Sequence, residues 1–292
     1  MLLHRRRLLR LGATAGLTLA SPRIVKALGG ASAPDPYILA DLPGYPAGWQ
    51  AYGGRSQVSA LPIGANTAVI MLFGDSTPSN VVNSIYTPTQ SLNQTFNVYN
   101  GGVYTTVEPL LGCNTNTPTS GSFFSRVADT LISGGTFTRV ILVPFGVGGS
   151  LFADYAVGGS INGRIAAAYR RIQAAGLTAG HVYWYFQCGA NDKNAGVSQA
   201  SATASLNSII STIRSVSSAN IFIPTHSMFA LGTSAAIQAA QAAVIDNVTI
   251  FTGGNIDTLT GAGNYWDSGT HFNATGAAAG AAIAAPAIAA HV

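Results

Sequence analysis

Five short apolar runs recur along the chain: Thr67–Phe73, Arg139–Phe145, His181–Gln187, Asn220–Pro224 and Val248–Phe251. They are nearly continuous rather than alternating, which is the pattern of strands covered on both faces. Between them the apolar positions return every three or four residues. Phe123–Ser133 puts Phe124, Val127 and Leu131 on one helical face, and Ile165–Ala175, Ala204–Val216 and Ser234–Val244 follow. Ala274–Ala290 is an Ala-rich terminal helix that Pro286 is expected to break or kink. Strands alternating with helices predict an α/β fold. The expected form is a three-layer α/β/α sandwich with a central, mostly parallel sheet. Ligands of such sheets bind beyond the carboxyl ends of the strands. Residues that directly follow a strand are therefore the first candidates for chemistry.

The first residues have a different pattern. Arg5-Arg6-Arg7-Leu8-Leu9-Arg10 is a basic stretch with a twin-arginine look, and Leu11–Ala20 is a short apolar one. Ala31-Ser32-Ala33 is a small-residue cleavage site. Residues 1–33 are thus expected to be an export signal, and the protein to be periplasmic or secreted. The apolar stretch is too short to span a bilayer, so no integral membrane span is expected in the mature chain. Residues 34–64 are rich in Pro, Gly and Tyr and show no period. They are expected to be an extension packed on a single domain at 65–292.

Charge changes the picture once the signal is set aside. The full chain has 14 Lys+Arg against 10 Asp+Glu. Six of those basic residues, and no acid, lie in residues 1–33, which leaves eight against ten, a net of −2. Nothing basic remains to follow a phosphate backbone, so nucleic acid is not an expected partner. Only 8% of residues are charged, with Gly, Ala, Ser, Thr and Asn in their place. Such a polar, uncharged surface suits an exported protein and is compatible with sugar recognition. Cys113 and Cys188 are the only cysteines. An oxidising compartment permits a bridge between them, and two inert buried thiols are the alternative. Neither has metal-ligand spacing; no metal or cofactor is expected.

Three motifs carry candidate chemistry. Gly74-Asp75-Ser76 ends the first apolar run, and Gly189-Ala-Asn-Asp192 follows the third. Asp267-Ser-Gly-Thr-His271 lies near the C-terminus. Together they supply a hydroxyl, an amide, a carboxylate and an imidazole, the parts of a nucleophilic hydrolase site. A serine hydroxyl is a poor nucleophile until a base takes its proton, and that base works best when a third group orients it.

The order and wording of these motifs resemble the SGNH hydrolases, also called the GDSL family. Val143-Pro-Phe-Gly-Val-Gly-Gly-Ser150 and Trp184-Tyr-Phe-Gln-Cys-Gly-Ala-Asn-Asp192 are similar to segments of its sialate O-acetylesterase-like branch, which acts on carbohydrate acetyl esters. The ending His271-Phe-Asn-Ala-Thr-Gly276 fits the same branch. The resemblance spans roughly residues 65–290 and implies a flavodoxin-like sandwich. It implies Ser76 as nucleophile, His271 as base and Asp267 as its orienting acid. It also implies Ser76 N–H, Gly149 N–H and the Asn191 side chain as oxyanion donors.

Several points stay open at this level. The family spaces its acid and base as Asp-x-x-His, whereas this chain has Asp-x-x-x-His. Either the extra residue bulges or another acid, with Asp257 the fallback, orients the ring. Asn100-Gly-Gly102 offers Gly102 as an alternative to Gly149. His226 also follows a strand and competes with His271 as base; failing that, it could contact substrate. Asp75 and Asp192 are expected to be structural, with Asp75 pointing away from the nucleophile. The leading functional expectation is a secreted serine esterase that removes O-acetyl groups from a small-molecule or polysaccharide ester. A lipid or aryl esterase is the enzymatic runner-up. A non-catalytic carbohydrate-binding protein on the same fold is the alternative from another class.

Overall fold

The first apolar run forms β1 (Thr67–Gly74), which is buried along its whole length. It lies at the middle of a seven-stranded sheet in a computed structural model that describes residues 55–58, 63–64, 66–113 and 119–292. The strands are β2 (Asn93–Phe96), β3 (Val103–Thr105), β4 (Arg139–Pro144), β5 (His181–Gln187), β6 (Asn220–Thr225) and β7 (Ile250–Asn255). Their order is β3-β2-β4-β1-β5-β6-β7. Every pairing is parallel except β2 with β3. The helices are α1 (Phe124–Ser133), α2 (Phe152–Tyr155), α3 (Gly163–Ala174), α4 (Ala190–Asn194), α5 (Gln199–Arg214), α6 (Ala235–Ala243) and α7 (Ala274–Ala289).

Side chains of a strand alternate between its faces, and β1 divides its residues between two cores accordingly. Val69, Met71 and Phe73 pack with Trp184, Phe186 and the apolar sides of α3, α5 and α6. Ala68, Ile70 and Leu72 pack on the other face with Tyr185, α1 and α7. The result is the expected α/β/α sandwich. Phe73 sits in an aromatic cluster, 4.8 Å from the Phe145 ring and 4.6 Å from that of Phe186. The end of β1 is therefore rigidly held.

Some elements depart from the sequence expectation. β2 and β3 lack an apolar run because their polar groups are satisfied internally. Asn93 donates to the Ser125 carbonyl and to Asp129, and Arg139 donates to Gln94. β7 begins two residues later than expected, because the Val248, Thr249 and Ile250 N–H groups turn in to the Asp246 carboxylate. α5 begins five residues earlier, where the Ser198 hydroxyl caps its first turn. α7 runs unbroken through Pro286, only three residues from its end. A proline there removes one hydrogen bond close to the frayed terminus and leaves the packed part of the helix intact.

The expected signal at 1–33 and most of the extension at 34–64 lie outside the described residues. Of the extension, residues 56–58 run along the edge strand: Val58 N–H donates to the Val103 carbonyl, and the Ser56 carbonyl accepts from Thr105 N–H. Cys113 and Cys188 are free and belong to opposite faces of the sheet, so no bridge joins them. Burial pushes the Cys113 thiol up to about 12 and raises that of Cys188 well above its usual range. Among the described residues no helix is long and apolar enough to cross a membrane.

Candidate active site

β1 ends in a turn that only glycine fits. Gly74 has φ +139°, and a Cβ there would lie 1.7 Å from the Gln187 carbonyl oxygen of β5. Asp75 N–H then donates to that same oxygen at 3.0 Å. The Asp75 carboxylate accepts Thr77 N–H on one oxygen and Ala190 N–H on the other. It thus faces the loop after β5 and leaves the next residue, Ser76, turned toward the rim.

Ser76 Oγ lies 2.9 Å from His271 Nε2, and His271 Nδ1 lies 2.6 Å from Asp267 Oδ2. Placing the ring proton on Nδ1, against the carboxylate, leaves the Nε2 lone pair to accept from the Ser76 hydroxyl. Ser76 is only 7% exposed, more enclosed than a rim position suggests, because the imidazole covers it. The extra residue between Asp267 and His271 is absorbed by a tight turn. Asp267 Oδ1 accepts the N–H groups of Gly269, Thr270 and His271, at 3.1, 2.8 and 3.0 Å. Gly269 takes φ +100°, and Trp266 N–H donates to the His271 carbonyl to close the loop. Partial burial pushes the Asp267 carboxyl up, but these N–H groups and the imidazole outweigh it and hold it below its usual range.

The fallback acid is engaged elsewhere. Asp257 accepts from Ser227 N–H and Oγ–H, Met228 N–H and the Gln238 amide. His226, considered as a base or a substrate contact, is corrected by its burial: it is 1% exposed, beneath the Ser76 turn. Its Nε2 is 3.1 Å from Thr77 Oγ1 and 3.7 Å from Asp75. Its backbone N–H is held by Gln241, so the chain turns under the rim directly after β6. Burial alone lowers its basicity, but Asp75 and the more distant Asp257 reverse this and the net shift is upward.

Two glycines were open as oxyanion donors. The Gly102 N–H is spent on the Asn100 side chain at 2.9 Å. Gly149 is exposed, with φ +82° and open space around it. Among the described residues, neither Gly149 N–H nor Ser76 N–H has an acceptor. The Asn191 amide donates to the Ser150 carbonyl at 3.3 Å, which leaves its second N–H available. The Ser150 hydroxyl in turn donates to the Gly74 carbonyl. Hydrogen bonds therefore tie the Gly149, Asn191 and Ser76 loops to one another.

Sequence reasoning missed how these loops are clamped. The Asp192 carboxylate accepts Phe152 N–H with both oxygens at 3.2 Å, which joins α4 to α2. Burial pushes this carboxyl up to about 7; the Phe152 N–H opposes the shift, and nearby Asp75 adds to it. It also missed Trp266, whose indole stacks on His271 with centroids 5.8 Å apart and planes 20° apart. Its place directly before Asp267 was the available signal.

No protein-family model matches the chain, and no curated protein matches it by sequence. Solved structures do match it. A protein of Arabidopsis thaliana superposes with a TM-score of 0.57 at 13% identity, over 78% of this chain and 99% of its own. NanS gives 0.49 at 12% identity, over 79% and 97%. A family 3 carbohydrate esterase from Talaromyces cellulolyticus gives 0.47 at 15%, over 76% and 96%. The likeness to the Arabidopsis protein shows that the two chains share an α/β fold. Likenesses at such identities report a shared fold and nothing of the substrate.

The raised Asp192 has a consequence for stability. Between about pH 4 and about 7 the folded protein keeps a proton that the unfolded chain has released, so stability falls as pH rises through that window. Asp192→Asn removes this titration. Urea unfolding at pH 4, 5.5 and 7 is expected to show the variant gaining on the parent as pH rises, by no more than about 1.4 kcal/mol per pH unit. Parallel pH profiles for the two proteins would contradict the assignment.

Proposed function

We propose that the chain is a carboxylic ester hydrolase that works through an acyl-Ser76 intermediate, with O-acetyl groups on a carbohydrate as its substrates. The observation that carries the reading is the relay Asp267–His271–Ser76, with contacts of 2.6 and 2.9 Å. Ser76 Oγ attacks the ester carbonyl while His271 Nε2 takes its proton. Asp267 holds the ring in the tautomer this needs and stabilises the imidazolium. The N–H groups of Ser76 and Gly149 and the free N–H of Asn191 receive the developing oxyanion. His271 then protonates the leaving alkoxide. Water, activated by the same ring, releases the acid and regenerates Ser76.

The carbohydrate part of the proposal is supported by the sequence resemblance to the sialate O-acetylesterase-like branch and by the low charge of the chain. Export, with residues 1–33 as the signal, belongs to the same proposal.

Ser76→Ala is expected to lower turnover of 4-nitrophenyl acetate and of an acetylated oligosaccharide by several orders of magnitude, with little change in thermal midpoint. Near-parental turnover in the folded variant would end the mechanism. Asp267→Asn is expected to reduce kcat by roughly 10³-fold or more, because an amide favours the wrong ring tautomer. Asp257→Asn breaks an anchoring cluster instead, so it should lower the thermal midpoint and leave kcat of the folded protein near the parent's. The reverse ranking of the two would reassign the orienting acid. Asn191→Ala is expected to cut kcat by roughly 10²–10³ with a small change in KM. A rise in KM alone would make Asn191 a substrate-positioning group.

A further inference from the structure

Trp266 is held on three sides and still open. Its backbone N–H donates to the His271 carbonyl at 3.1 Å, its Nε1–H donates to the Val81 carbonyl at 2.9 Å, and its ring runs nearly parallel to the imidazole with centroids 5.8 Å apart. Its side chain nevertheless remains 43% exposed. Among the described residues it is the only Phe, Tyr or Trp left exposed; the other aromatic rings are buried or half-buried. A fixed indole presents a large contact area whose ordering cost is already met.

Its position gives that surface a direction. On the ester-hydrolase reading above, on which this inference rests, His271 Nε2 delivers the proton to the departing oxygen. The group lying against the imidazole therefore meets the alcohol half of the ester rather than the acyl half. Leu231, itself 46% exposed, comes from the segment after β6 and packs against this loop: its N–H donates to the Gly269 carbonyl, and a Cβ on Gly269 would meet its side chain. Ala230 and Leu231 both take left-handed backbone, with φ of 49° and 58°. Such strain persists only where the surroundings hold it in place.

The chemistry of the surface selects its ligand. The Asp267 carboxylate beside Trp266 is engaged by His271 and three N–H groups, so the exposed indole contributes no charge of its own. An indole face is electron-rich and attracts hydrogens on its partner that carry partial positive charge. The C–H bonds on one face of a pyranose ring, polarised by the neighbouring oxygens, meet that requirement. We propose that Trp266 is the platform on which the sugar ring of the leaving alcohol stacks, with Leu231 bounding it, so that Trp266 sets the preference for sugar esters over small alkyl esters.

The test uses the full chain and compares kcat/KM for an acetylated methyl xylopyranoside, phenyl acetate and ethyl acetate in the parent, Trp266→Phe and Trp266→Ala. In Trp266→Ala the ratio of sugar acetate to ethyl acetate is expected to fall roughly ten- to a hundredfold, mainly through KM, and Trp266→Phe is expected to recover part of it. A parent that cleaves both alkyl and sugar esters, with that ratio unchanged by Trp266→Ala, overturns the platform and leaves the esterase reading standing. That outcome makes Trp266 a mere support for His271. A ratio that falls only for phenyl acetate replaces the sugar with an aryl alcohol and also overturns the proposal. A folded parent that cleaves none of the three overturns the esterase reading itself, and the platform with it.

Discussion

At the carboxyl end of β1 the Gly74 carbonyl accepts three hydrogen bonds: from Val147 N–H, the Tyr155 hydroxyl and the Ser150 hydroxyl. The next N–H, on Asp75, reaches across to Gln187 on β5. One peptide unit thus ties the central strand to the ends of both its neighbours. The Ser76, Gly149 and Asn191 segments take their position from that contact. Ser76 follows it directly, the Gly149 loop hangs from it through Ser150, and the Asn191 loop meets it through Asp75 and Ala190. The requirement is steric as well as polar, since no Cβ fits at Gly74. On the proposed function such fixity matters, because donors aimed in advance need not reorganise as charge develops.

A layer of buried polar groups lies just beneath. Asp75, Asp192, His226 and Cys188 are all withdrawn from water. Burial makes Asp192 hold its proton toward neutrality, and the nearby Asp75 carboxylate adds to the effect. Asp75 shares its surroundings with His226, whose Nε2 lies 3.7 Å from its carboxylate. The carboxylates of the layer are directed at loop backbone, Asp75 at the Thr77 and Ala190 N–H groups and Asp192 at the Phe152 N–H.

The sandwich was legible in the sequence because a strand covered on both faces must be apolar throughout. β1, β4, β5 and β6 obey that rule. β2 and β3 were not legible because Asn93, Gln94 and Thr95 are buried polar residues whose partners lie far along the chain. α2 and α4 are one turn each, too short to show a period. At the site, the Ser76, Asp267 and His271 motifs stood out because they bring a hydroxyl, a carboxylate and an imidazole within strand-end or loop segments, and the structure places the three in contact. The choice between Gly149 and Gly102 was not legible: it depends on whether one N–H is already spent. His226 was misjudged because a residue after a strand can turn under the rim as readily as over it.

The loop from Asp267 to His271 is one residue longer than the Asp-x-x-His spacing of the family its motifs resemble, yet the contact between carboxylate and imidazole is short. Its geometry is set by how many N–H groups a single carboxylate oxygen gathers, and three fit around Oδ1. Gly269 supplies the one backbone conformation that lets the extra peptide fold back. The loop can therefore be a residue longer and keep the contact, because the extra segment brings a glycine and another donor for the same oxygen. Spacing in such a motif is a by-product of the turn, and a search by fixed intervals will pass over chains in which the same contact forms.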